Sequence, residues 1–211
     1  MNHVAAAFGY PFRKGAAGGW FIGVLLVLVL PIGLIPLCGY AISAIRASAS
    51  DPAAGPPAWR SPGRLLAEGT LVAALLLLLS SPFAIATAVL AKVLGPGLRA
   101  LPGANDPLVA GAVAVVIGVA VVGLPWGILL LVLMPVACIR FADSGRARDL
   151  FDLAAAVRRV RSNFAGWNLV AVAIVTAWTA GLAGAGLFCI GVLPGVYFAI
   201  LASAHATASL K

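Results

Sequence analysis

Charge is scarce in this chain. Of 211 residues only 9% are Asp, Glu, Lys or Arg while 63% are hydrophobic, where a soluble domain carries about a quarter charged residues. So little polar surface cannot cover a water-facing domain. Residues 15–45, 69–91, 107–139 and 162–210 contain no charged side chain at all. Acids are rarest, with six Asp and Glu beside 14 Lys and Arg, and there are only two His and three Cys. That shortage removes the usual material of catalysis. No two carboxylates share an apolar run, no His and Cys fall at metal-ligand spacing, and no Gly-rich loop ends in Gly-Lys-Ser, so no enzyme, metal or cofactor is expected. Cys38, Cys138 and Cys189 all lie inside charge-free runs. An odd set placed there is no disulfide framework, and its members read as small apolar filler.

Apolar length is what the chain has in abundance. A helix crossing the hydrocarbon core needs about 20 apolar residues, and the four runs are 31, 23, 33 and 49 residues long. The expectation is an all-α, polytopic integral membrane bundle of about six membrane segments, forming one embedded domain over residues 1–211. The net charge of +8 is spread beside the apolar runs rather than gathered in an arm. Anionic lipid headgroups are therefore the expected partners, and nucleic acid is not. Arg13 and Lys14 precede a first run about twice as long as a signal-peptide core, so that run is expected to be retained.

Short loops rich in Lys and Arg stay in the cytoplasm. Arg13 and Lys14 before the first run, and Arg46, Arg60 and Arg64 after it, place both of its ends inside. After a cytoplasmic N-terminus (1–16), residues 17–47 read as a broken hairpin turning at Pro31, Gly33 and Pro36, which interrupt a helix and let the chain reverse. A single long, kinked helix is the alternative. Residues 62–94 read as one membrane helix beginning at Ser61 and Pro62 and kinked at Pro82, with Ser80 and Ser81 able to bond the carbonyls freed there. After a far-side loop, Gly95 to Asp106, residues 107–139 return as a helix bent at Pro125. Residues 145–162 read as one interfacial amphipathic helix, with Leu150, Leu153, Ala154, Val157 and Val160 on its apolar face. Arg158, Arg159 and Arg161 are its candidate headgroup contacts, the plainer reading being a connector lying flat on the bilayer. Residues 164–209 form a closing hairpin whose returning helix starts at Gly191 and Pro194. "IGLIP" at Ile32 and "IGVLP" at Ile190 occupy corresponding places, each followed by a Tyr, Tyr40 and Tyr197. Duplication and chance both account for that similarity. Two polar residues stand out against the apolar background, Glu68 at the entrance of the second run and His205 near the end of the fourth.

These features together resemble a family of bacterial and archaeal polytopic membrane proteins known as domain of unknown function 4013. The resemblance rests on "FGYPF" at Phe8, "PIGLIPLCGY" at Pro31, "PPAW" at Pro56 ahead of "LLAEG", "IRFADSG" at Ile139, "VRSNFAGW" at Val160 and a His near the end. It implies an architecture and no activity; segment length and loop charge give the expectation of a cell-membrane location with both termini cytoplasmic. The leading functional expectation is a non-enzymatic component or accessory subunit of a membrane assembly, working with a membrane-protein partner or with further copies of itself. A small permease or channel subunit, and a lipid-sensing or membrane-remodelling protein, are the alternatives.

Overall fold

The computed structural model describes residues 2–13, 16–99, 107–186 and 191–211, which are helical with no strand among them. In chain order the helices are α1 (Asn2–Gly9), α2 (Ala16–Leu28), α3 (Leu34–Ser50), α4 (Pro62–Arg99), α5 (Pro107–Gly118), α6 (Leu124–Ser144), α7 (Ala147–Phe151), α8 (Leu153–Ser162), α9 (Phe164–Ala183) and α10 (Val192–Ala208). Three stretches are long and apolar enough to cross a bilayer: Pro62–Leu90, Gly111–Ser144 and Phe164–Ala183. Gly18–Leu28, Leu34–Ser50 and Val192–Ala208 are shorter apolar helices. The chain forms two compact units, Met1–Ala74 with Val132–Lys211, and Leu75–Leu131.

The first unit is built from two helical hairpins. Pro31 and Gly33 lie in the turn joining α2 to α3, and Gly33 backs directly onto the Leu26 carbonyl. Gly19 sits under the Tyr40 hydroxyl, so the two helices run antiparallel from the turn onward. Pro36 occupies the first turn of α3, where its missing N–H has no partner to lose. In the second hairpin Gly181 and Gly195 face one another with no room for a Cβ on either, and Gly184 and Gly191 do the same nearer the turn. Backbone contact of this kind is available only to glycine, and it sets how closely α9 and α10 approach. Gly191 caps α10 and Pro194 lies in its first turn. The Gly95–Asp106 loop falls partly, and Cys189 and Ile190 wholly, outside the described residues.

The glycines of the two pentapeptides, Gly33 and Gly191, take equivalent places in the fold. Gly33 caps α3 at φ −64°, ψ −15°, and Gly191 caps α10 at φ −63°, ψ −17°, neither with a side-chain cap. The helices that follow pack side by side and parallel. Tyr40 stacks on Tyr197 with ring centroids 6.2 Å apart. One helical stretch further on, Ser48 bonds His205 at the same sequence separation of 157 residues. That register is one residue short of the 158 that separates the pentapeptides, so these residues of the first copy meet the residue before their counterpart in the second. Helix α10 also contacts α1, α2 and α9. Its run of Ala199, Ala202, Ala204, Ala206 and Ala208, all buried, keeps it slim enough for that crowding.

The second unit is an antiparallel pair. Gly118 lies against Thr87, Gly123 against Phe83, and the Trp126 indole donates to the Leu79 carbonyl. Pro82 does not interrupt α4, because Ser81 Oγ donates to the Leu78 carbonyl at 2.8 Å, the acceptor that proline leaves without a partner. Before Pro125 the helix widens into a π turn at Val119–Gly123, a rare form met mostly as single turns inside α-helices. α6 then continues through Pro135 to Ser144, six residues past Cys138.

The 145–162 segment corrects the expectation of one continuous amphipathic helix. Gly145, at φ +66°, ends α6 in the left-handed conformation that glycine tolerates, with its N–H bonded to the Phe141 carbonyl at 2.8 Å. Asp152 then ends α7 and caps α8, accepting from the Ala155 amide at 3.0 Å. The restart shifts the helical phase. Leu150, Ala156 and Val160 are buried, while Ala154 and Val157, assigned to the same apolar face, are exposed.

Candidate functional site

The polar residues gather at the ends of the apolar helices, and the first group forms where α3 ends and α4 begins. Gly39 packs on the Leu65 carbonyl and Gly69 on that of Ile35, so the two backbones touch and run antiparallel. Arg46, near the end of α3, directs Nε to the Ala142 carbonyl at 2.9 Å and both terminal nitrogens to Glu68, at 3.1 and 3.4 Å. Arg64 adds its Nε at 3.0 Å, one helical turn before Glu68. Glu68 is thus clamped by two guanidinium groups, its side chain only 14% exposed. A carboxylate so enclosed is tolerated because both partners are charge-assisted donors.

Above this clamp opens a cleft of about 560 Å³, lined among others by Ser43, Arg46, Arg60, Ser61 and Arg64. Its far wall is the 51–61 loop, held in place by aromatic side chains. Tyr40 donates its hydroxyl to the Pro57 carbonyl at 2.7 Å, and Trp59 lies flat on the Tyr40 ring at 4.1 Å. Arg13 reaches the Pro52 and Ala54 carbonyls at 2.5 and 3.0 Å. At the cleft edge Ser61 adopts φ +57°, a conformation uncommon outside glycine and met where surrounding structure enforces it.

His205 belongs to a different group. Its Nδ1 lies 3.0 Å from Ser48 Oγ and its ring stacks on Tyr10 at 4.5 Å, with all three residues buried. The arrangement fastens α1 and the 3₁₀ turn after it to the ends of α3 and α10. Tyr10 from "FGYPF", Tyr40 from the first pentapeptide and Trp59 from "PPAW" therefore support the two polar groups as packing residues.

A third group straps α7 and α8 to α6. Arg140 reaches Asp152 Oδ2 at 3.3 Å and Asp149 Oδ1 at 3.7 Å, and Arg146 reaches Asp149 Oδ2 at 3.2 Å. The Ser144 hydroxyl first, then Arg146 and Arg140, hold the Asp149 carboxyl below the usual carboxylate range against some desolvation. The Ala155 amide first, then Arg140, does the same for Asp152. The three arginines expected to meet headgroups are all exposed, and Arg159 also donates to the Leu210 carbonyl at 3.1 Å.

Sequence reasoning singled out Glu68 and His205 but missed their partners. Arg46, Arg60 and Arg64 counted only as markers of the cytoplasmic side. The i,i+4 spacing of Arg64 and Glu68 was the available signal for the clamp. Among the described residues no three His, Cys, Asp or Glu side chains are grouped as a metal site.

No curated protein and no solved structure matches the chain. A family model, described as a protein of unknown function, matches residues 22–190. That match covers most of the sequence, and the chain belongs to the family of proteins of unknown function designated DUF4013.

Proposed function

We propose that this is a multi-pass integral membrane protein of about six membrane segments, with both termini cytoplasmic, acting without catalysis as a component of a larger membrane assembly. The observation that carries the reading is the apolar surface the helices leave uncovered. The span windows Pro62–Leu90 and Gly111–Ser144 are only 17% and 6% buried, at mean hydropathies of 2.2 and 2.6. Leu77, Leu78, Ile85, Val93, Val116 and Val121 are each at least 60% exposed. In water such side chains forgo on the order of 1 to 2 kcal/mol of burial apiece, and in lipid they forgo nothing. An antiparallel pair with apolar residues all round also offers its flanks to neighbouring helices, which supports a role inside an assembly.

Single cysteines at Ser50, Ala104 and Ser144, in a background lacking Cys38, Cys138 and Cys189, test the threading. Ser50 is exposed at the end of α3. Only Ala104 is expected to label from outside the cell, and outside labelling at Ser50 refutes the first hairpin as a cytoplasm-facing element. The assembly role requires a partner that co-purifies in stoichiometric amount from native membranes.

A further inference from the structure

The cleft between α3 and α4 is lined by three guanidinium groups, and only Glu68 neutralises them. Their donors are unequally used. Arg46 spends Nε and both terminal nitrogens on Ala142 and Glu68. Arg64 spends only Nε, leaving both terminal amino groups available, and the Arg60 guanidinium makes no hydrogen bond or ion pair among the described residues. Glu68 therefore anchors Arg46 and Arg64 in place before any ligand arrives, which reduces the ordering cost of binding. The hydroxyls of Ser43 and Ser61 line the same space, and the opening turn of the 38-residue α4 presents its positive end at the Ser61 edge. Planar guanidinium forks, hydroxyl donors and a helix start together fit a tetrahedral oxyanion.

We propose that this cleft binds a phosphate group, and that the phosphate is the headgroup of an anionic phospholipid. The choice of lipid rests on the membrane reading above. The charge-free run 15–45 ends at the residue before Arg46 and the run 69–91 starts at the residue after Glu68, so the cleft opens at headgroup depth.

The test follows the melting temperature of the full-length protein in a neutral detergent as ligand is added. The probes are short-chain phosphatidylglycerol, short-chain phosphatidylcholine, glycerol phosphate and inorganic phosphate. Phosphatidylglycerol is expected to raise the melting temperature most. Arg60→Gln is expected to weaken its apparent affinity about tenfold, and Arg60→Gln with Arg64→Gln further. Arg60 has no hydrogen bond or ion pair among the described residues, so its replacement is expected to leave the fold intact. Arg158→Gln with Arg161→Gln is expected to leave the response intact. A response undiminished in the Arg60/Arg64 double variant, or equal for the two lipids, overturns the proposal. Inorganic phosphate acting as strongly as phosphatidylglycerol overturns the lipid assignment. Carbonate washing of cell membranes separates this from the reading beneath it. Protein that stays in the pellet yet shows no phosphate response refutes the cleft alone, and protein released by carbonate that responds to free phosphate refutes membrane embedding alone.

Discussion

Replacing Gly195 by Ala drives a methyl group into the Gly181 carbonyl across the α9–α10 contact, and Gly181→Ala drives one into the Gly195 carbonyl. Neither obstacle is the end of a flexible side chain; both are helix backbone. The helices must separate by about 1 Å to restore van der Waals contact, and a gap of that size forfeits roughly a quarter to a half of the dispersion energy along the seam. Overpacking of this kind costs about 1 to 3 kcal/mol. Alanine's better helix propensity returns up to about 1 kcal/mol, so from the middle of that range a net loss of about 1 kcal/mol is expected for either variant. One separation relieves both clashes, so the double variant is expected to lose about as much as one single variant rather than the sum. Unfolding in mixed micelles, by titration with sodium dodecyl sulfate and tryptophan fluorescence, measures all three. Gly127, in α6 with open space around its Cα, is the control, and Gly127→Ala is expected to be neutral or stabilising. A Gly195→Ala protein within about 0.5 kcal/mol of the parent, or strict additivity in the double variant, would refute the claim that backbone contact sets the hairpin.

Two tyrosines in the same core should respond oppositely to loss of their hydroxyls. Tyr40→Phe removes the bond to the Pro57 carbonyl and is expected to cost about 1 kcal/mol, whereas the buried Tyr197 hydroxyl has no hydrogen-bond partner among the described residues and Tyr197→Phe should be neutral or stabilising; the same titration decides, and the reverse order would count against the loop anchorage. Asp149 and Asp152 both titrate below their ordinary values when folded, so their contribution is fully present above the unfolded pKa of about 3.9 and is lost as pH falls through the depressed folded values. Amide exchange in α7 and α8 is expected to accelerate below about pH 4 and to lose that pH dependence in Asp149→Asn with Asp152→Asn; an unchanged profile would remove the carboxylates from the account.

The helices themselves were legible because charge-free length and proline or glycine spacing are local properties. Charge-free runs 15–45 and 162–210 each contain two helices, parted near the glycines and prolines that stand out in the sequence. Phase was less legible. The apolar face of 145–162 was drawn for one continuous helix, but Asp152 prefers to cap α8 and bond Arg140, and a restarted helix turns its later residues to a new face. Pro125 was readable as a disturbance, and its form as a π turn was not, because the choice between a bend and an extra residue per turn depends on the packing partner. Glu68 and His205 were visible as polar residues in apolar surroundings, whereas Arg46, which bonds Glu68, comes from α3, and Ser48 and Tyr10, which hold His205, come from α3 and the first 3₁₀ turn.

Sequence alone determined the long charge-free runs, which are local and set where apolar helices can form. Tertiary structure decided what the repeated pentapeptides mean. A similarity of five residues carries no direction, and only the side-by-side packing of Tyr40 on Tyr197 and Ser48 on His205 makes the two helices parallel, one residue out of register with the repeat. The cleft of three arginines was likewise decided in space, because a pocket is the gap left between helices whose approach is set by the glycines on their facing sides.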